Sequence, residues 1–184
     1  PCLEDGCQSF GALYQGRRSC GLSTAGATSF FPAKPLGCCG DGGMAFTNDA
    51  TLAEHLRIIR EHGQIARYQH TMLGFNGRLD TLQAAVLLAK LPHFEAEIAA
   101  RQRVADYYRT ALEGRVQLPV VRPGQMSVYA QFTIRTTQRE AVQQQLTEAG
   151  IPTAIHYPAP LHRQPVFAHL GYPEEAFPVA NQAA

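Results

Sequence analysis

Only two of the sixteen basic side chains are lysines, so an amine nucleophile can come from Lys34 or Lys90 alone. Lys90 closes an apolar run of helical character, where a cation complements the helix dipole. Lys34 sits in Thr28-Ser-Phe-Phe-Pro-Ala-Lys-Pro-Leu-Gly37, directly before Cys38-Cys-Gly-Asp-Gly-Gly43. Pro and Gly impose a tight path on this segment, and Phe30 and Phe31 make its surroundings apolar. A lysine held there loses solvation, and its amine becomes available for a Schiff base. A water-facing loop lysine is the other reading of the same residues. Asp5 and Ser29 weigh toward chemistry. Asp5 closes a buried-looking strand, Gln8 opens the next element, Ser29 lies on the following strand, and Lys34 comes shortly after. A pyridoxal phosphate site needs this order: a carboxylate to keep the pyridine nitrogen protonated, a hydroxyl and backbone N–H groups for the phosphate, and an amine. An acid at a strand end, taken alone, is more often a turn or cap residue.

The cysteines point elsewhere. Cys2, Cys7, Cys20, Cys38 and Cys39 are odd in number with one adjacent pair, which suits neither a disulfide framework nor a C-x-x-C site. They read as small hydrophobes of a reducing compartment, and the cytoplasm is the expectation. His156, His162 and His169 combine with them in no zinc spacing, so no metal site is expected.

The elements that must position these residues alternate between strand and helix. Ala27 to Phe31 and Met44 to Thr47, bounded by Gly and Pro, read as strands. Asn48-Asp49 caps a helix with Leu52, Leu56 and Ile59 at helical spacing, ending near His62-Gly63. A second helix, Asp80 to Leu91, is apolar nearly all round and is expected to be buried in a core or a subunit interface. A third, His93 to Leu112, carries a charged, solvated face. Beyond Pro119 the pattern predicts a strand at Val128 to Thr133, a helix opened by a Thr137-x-x-Glu140 capping box and running to Gly150, and a strand at Ile151 to Ile155. That piece reads as a small second domain. Pro1 to Asp5 resembles the tail of a strand, and Pro178 to Ala184 the first turns of a helix, so a fragment of a longer chain is expected.

Composition excludes other classes. With 45% hydrophobic and 17% charged residues over 184 positions, the chain is neither disordered nor fibrous. A formal charge of +1 offers no field for nucleic acid or an anionic membrane surface. The longest uncharged apolar run, near Leu82 to Ala89, is far short of the ~20 residues that span a bilayer.

Four motifs in order resemble the DegT/DnrJ/EryC1/StrS family of sugar-nucleotide aminotransferases. They are Glu4-Asp-Gly-Cys-Gln-Ser9, Ser29-Phe-Phe-Pro-Ala-Lys-Pro-Leu-Gly37 with Gly40-Asp-Gly-Gly43, Gly74-Phe-Asn-Gly-Arg-Leu-Asp80, and Gln83-Ala-Ala85. Ser127 to Phe132 and Gly150 to Pro158 look closest to members that aminate a 3-keto UDP-N-acetyl uronic acid. The resemblance implies an α/β fold, the fold type I PLP-dependent transferase. Residues 1–92 would be the C-terminal part of its large domain, 93–118 a linking helix, and 119–184 an incomplete small domain. It implies pyridoxal 5'-phosphate as cofactor, with Lys34 as the covalent link and proton carrier and Asp5 on the pyridinium nitrogen. Gln8 would lie near the ring 3-hydroxyl and Ser29 on the phosphate. Asn76 would reach a phosphate in the neighbouring subunit of a homodimer with shared sites. Arg78, His156 and Tyr157 would line the nucleotide-sugar pocket, Arg78 matching a carboxylate with its planar fork. The implied activity is amino transfer from glutamate to a keto sugar nucleotide for surface-polysaccharide or O-antigen precursors. A truncated, non-catalytic or regulatory relative is the alternative. Cys39 stands where the family often has an aromatic, and Gly6 replaces a usual Ala. The N-terminal half, which supplies phosphate-loop amides and a ring-stacking aromatic, lies outside these 184 residues.

Overall fold

A computed structural model describes all 184 residues. Three strands form the sheet that carries the first motifs. Leu3–Asp5 (β1) runs parallel to Ala25–Ser29 (β4), with Glu4 opposite Gly26 and Asp5 opposite Ala27. Gly43–Phe46 (β5) pairs antiparallel on the other side of β4, giving the order β1-β4-β5. The small residues of β4 have a steric cause. A Cβ on Gly26 would lie 2.6 Å from the Cα and carbonyl oxygen of Cys20, so the 19–22 loop rests directly on the strand. β1 is an edge strand rather than a buried one, since Leu3 is 70% exposed.

Between β1 and β4 the chain forms a hairpin of Leu13–Tyr14 (β2) and Arg17–Arg18 (β3). Its turn residues Gln15 and Gly16 both have positive φ, as a tight two-residue hairpin requires. Gln125–Met126 (β8) joins the free side of β2. The helix Ala50–Arg60 (α1) starts where Asp49 Oδ1 accepts the amides of Thr51 and Leu52. It leads into the small hairpin Gln64–Ala66 (β6) and Gln69–His70 (β7). There Gly63 and Gly74 cross so closely that a Cβ on either would run into backbone of the other arm.

Thr81–Lys90 (α2) and Phe94–Leu112 (α3) are joined by a single 3-10 turn, Leu91–His93. The core gathers Phe30, Leu36, Cys38, Leu87, Phe94, Ile98 and Val128. Phe10 stacks between Phe94 and Phe46, at ring-centroid separations of 5.5 and 5.8 Å. α2 is buried in this core along one side only. Leu87 faces the core, while Leu82 is 80% and Leu88 69% exposed.

The chain divides into two compact units, Pro1–Glu113 with Pro119–Thr133, and Gly114–Leu118 with Ile134–Ala184. Two expected boundaries therefore move. The helix read as a link buries Phe94, Ile98 and Ala105 in the first unit, and residues 119–133 belong there too, through Met126 on β2 and fully buried Val128. Val128 to Thr133 forms no strand, because this stretch follows β8 without a partner of its own.

In the second unit Arg139–Glu148 (α4) follows Gln138, not Thr137, so the expected capping box is absent and Thr136 Oγ1 takes the Gln138 amide instead. Ile151 to Ile155 is likewise unpaired, and the bridge in this unit is Gln117 with Arg135. Pro178–Ala183 (α5) ends where Arg139 donates to the carbonyls of Ala183 and Ala184.

Candidate active site

Asp5 and Ser29 stand on one face of the sheet. Asp5 is level with Ala27, and Ser29 lies two residues beyond it along β4, so the pleat turns both the same way. Asp5 Oδ1 accepts the Cys7 amide at 3.0 Å. The Cys7 thiol, then this amide, hold the Asp5 carboxyl below its ordinary value, and the Lys34 ammonium pulls in the same direction. In return Asp5 pushes the Cys7 thiol up, with burial adding to the effect. Asp5 and Lys34, twenty-nine positions apart in sequence, are thus brought within electrostatic reach, and the acid is an anion at neutral pH.

Lys34 rides a loop whose base is tied shut. Cys38 donates its amide to Phe30 O at 2.8 Å, and its thiol points to the same carbonyl at 3.0 Å. Inside the loop the Lys34 amide donates to Phe31 O at 2.9 Å. Gly37 is required by close approach, because a Cβ there would meet Pro32 O at 2.6 Å and Phe31 O at 2.8 Å. Ser29 Oγ accepts the Phe31 amide at 3.2 Å, which leaves its hydroxyl hydrogen free to donate to an anion. Phe30 is buried but Phe31 is 50% exposed and Lys34 half-buried, so the amine keeps part of the solvation that the sequence argument removed.

Three residues to which sequence reasoning assigned no part in the site support these groups. Glu4 turns to the opposite face and accepts Ser19 Oγ (3.0 Å) and the Cys20 amide (2.8 Å) on Oε1, and the Leu22 amide (3.2 Å) on Oε2. Gln83 Oε1 accepts the Cys39 amide at 2.8 Å, and Lys90 Nζ donates to Gly37 O at 2.6 Å. Glu4 and Gln83 were visible inside the quoted motifs, whereas Lys90 carried no signal beyond its helix-end position.

The other expected residues are placed apart. Gln8 is exposed in the turn after Gly6. Asn76 is exposed and bridges to Glu61 through the backbone. Arg78, expected to meet a substrate carboxylate, pairs here with Glu61 at 3.2 Å. His156 and Tyr157 lie in the second unit, ring edge to face at 5.6 Å, with Tyr157 71% exposed. Asp5, Ser29 and Lys34 thus all lie in the first unit, and His156 and Tyr157 are neighbours in the second. No group of three or more His, Cys, Asp or Glu residues is arranged to hold a metal ion, and no helix is long and apolar enough to cross a membrane.

Residues 1–184 match the DegT/DnrJ/EryC1/StrS aminotransferase family throughout. The chain is 54% identical to the UDP-2-acetamido-2-deoxy-3-oxo-D-glucuronate aminotransferase of Pseudomonas aeruginosa, over 100% of its own length and 51% of that protein's. It is 47% identical to a pleiotropic regulatory protein of Geobacillus stearothermophilus, over 99% of its own length and 50% of that protein's. Among solved structures, DesV of Streptomyces venezuelae in complex with a ketimine intermediate superposes with a TM-score of 0.95 at 41% identity, covering 99% of this chain and 50% of that one. The chain therefore spans about half the length of the relatives it matches. Its fold is the α/β fold of the PLP-dependent transferases of type I, represented by part of that architecture. With every residue from Pro1 to Ala184 inside the match, the chain belongs to the DegT/DnrJ/EryC1/StrS aminotransferase family.

Proposed function

We propose that the protein carrying this chain transfers an amino group from an amino acid, glutamate in our reading, to a keto sugar nucleotide. The observation that carries the proposal is that Asp5 and Ser29, its hydroxyl hydrogen free, share one face of the parallel β1–β4 pair, with the charge of Lys34 acting on Asp5 from the loop that follows β4. These groups fit pyridoxal 5'-phosphate by donor type. An anionic carboxylate suits a pyridinium nitrogen, a hydroxyl donor suits a phosphate, and a primary amine suits a carbonyl carbon. Bound there, the cofactor supplies an electron sink for amino transfer. Lys34 would hold it covalently and, once released, move the proton at the donor and sugar carbons. Asp5 would keep the ring nitrogen charged, Ser29 would bind the phosphate, and Gln8 is the residue we assign to the ring hydroxyl.

The 54% identity to an enzyme named for a 3-oxo uronate supports a 3-keto UDP-sugar as substrate and surface-polysaccharide or O-antigen precursor synthesis as the setting. Arg78, His156 and Tyr157 are the residues we assign to that substrate, and Asn76 to a partner subunit's site. The exposed leucines of α2 support a homodimer, because an apolar face of that kind is stable when covered. Five free cysteines are compatible with the reducing cytoplasm.

The test is borohydride reduction of the PLP-loaded full-length protein followed by peptide mass spectrometry. The cofactor is expected on Lys34. Attachment at Lys90 refutes the site assignment, and no attachment favours a regulatory relative such as the Geobacillus protein's name describes.

A further inference from the structure

Lys90 and Gln83 are the side chains with which α2 reaches the loop that carries Lys34. They lie seven positions apart, about two helical turns, so the helix holds the loop at two heights. The loop's own bonds fasten its base, Phe30 to Cys38, and its first turn, Lys34 to Phe31. Nothing internal fixes the returning arm except the close backbone approach at Gly37. Lys90 acts at that point, donating to Gly37 O three residues after Lys34, and the intervening Leu36 is locked in the core at 4% exposure. The arm that returns from Lys34 through buried Pro35 is therefore held at two successive residues, Leu36 by the core and Gly37 by Lys90, which leaves little slack in where Lys34 sits. The donor is charged and half-buried, which makes the bond roughly twice as strong as a neutral one.

We infer that Lys90, seconded by Gln83, is a positioning residue that sets where the Lys34 amine is presented. This inference rests on the cofactor reading of Lys34. It gives α2 a task beyond packing: its C-terminal cation is spent on the loop of another motif, not on its own helix end.

The experiment uses the full-length protein with Lys90→Met, which keeps the apolar stem, and Lys90→Arg, which restores a charged donor. Borohydride labelling of Lys34 is titrated with PLP, and deuterium exchange is followed in the cofactor-free protein. In Lys90→Met, half-maximal labelling should need about tenfold more PLP, the effect of losing one charge-assisted hydrogen bond. Exchange should accelerate by about the same factor in residues 31–40 while α3 stays protected. Lys90→Arg should return both toward wild type. Unchanged labelling and exchange in Lys90→Met overturn the inference. So does acceleration spread over α2 and α3 that Arg does not repair, since that marks a general stability role. Failure of the wild-type protein to label at Lys34 overturns the proposed function itself, and the inference with it. Normal wild-type labelling beside an indifferent Lys90→Met overturns the inference alone.

Discussion

Removing the carboxylate of Glu4 should release the 19–22 loop from β1. Its two oxygens divide unequally: Oε1 takes Ser19 Oγ and the Cys20 amide, and Oε2 takes the Leu22 amide. In Glu4→Ala the three donors fare differently. Ser19 keeps Ser9 Oγ at 2.6 Å, and half-buried Leu22 can turn to water. Cys20 is 4% exposed and cannot. One stranded buried amide costs about 1–3 kcal/mol and each replaced bond about 0.5–1 kcal/mol, for a total of about 3 kcal/mol. Glu4→Gln separates geometry from charge. With its carbonyl in the Oε1 position it retains the Ser19 and Cys20 bonds and sets an NH2 against the Leu22 amide, so the loss should be about 1 kcal/mol. Urea unfolding of the full-length protein and both variants measures this. With m of roughly 1–3 kcal/mol/M, the Ala variant should shift its midpoint by at least 1 M while m stays constant. Equal losses for Gln and Ala would show that charge and not the bond pattern matters. A loss in Ala below about 1 kcal/mol would refute the reasoning that the 19–22 loop is held to β1 by this side chain.

The remaining predictions concern the site and its thiols. The Asp5 carboxyl is held below its ordinary value of 3.8, so its contribution to stability is complete above that pH and is lost as pH falls through the depressed folded value. Cys7→Ala removes the largest cause but keeps the amide, and a carbon-detected NMR titration should find Asp5 titrating closer to 3.8; an unchanged or lower midpoint contradicts the thiol contact. Brief iodoacetamide treatment at pH 8 should label exposed Cys2 and Cys39 well before Cys7 and Cys20, whose thiols are pushed up by Asp5 and by burial respectively. Early labelling of Cys20 in peptide mass spectra would mean that the 19–22 loop opens readily. For the shared dimer site, mixing inactive Lys34→Ala with inactive Asn76→Ala full-length chains should recover part of the aminotransferase activity, because one hybrid site holds both native residues. Mass-verified mixed dimers without recovery count against Asn76 acting across the interface.

What could be read from the chain beforehand follows a physical division. Helices α1 and α3 were legible because their signals are local: Asp49 as a cap, and apolar positions at helical spacing. β4 and β5 were legible in position, since β-rich runs were bounded by Gly and Pro. Pairing was not. Val128 to Thr133 has the composition of a strand but no neighbour to bond, and Val128 is buried all the same. The two-residue strands β2, β3, β7 and β8 are too short to leave a period-two trace. In the candidate site, Asp5, Ser29 and Lys34 could be proposed from residue type and order. Their supports did not, because Gln83 and Lys90 act on backbone atoms forty-four and fifty-three residues away, and a carbonyl oxygen has no letter in a sequence.

Glu4 and Asp5 carry the same functional group at successive positions, and the pleat alone decides which one holds the 19–22 loop and which one faces the proposed site. The distinction is one of parity. A deletion or insertion of one residue ahead of this pair, taken up as a slip of β1 along β4, would exchange the two carboxylates across the sheet. Glu4 would then meet Lys34, and Asp5, one methylene shorter, would be left to span the gap to the 19–22 loop. A slip of two residues would preserve the faces yet strip both acids of their partners. The three-residue strand therefore has a single usable alignment, fastened by the Glu4 bonds to the 19–22 loop, which itself rests on β4 through the backbone contact at Gly26. Swapping the two letters, a change that conserves composition, charge and hydropathy, would remove both roles at once.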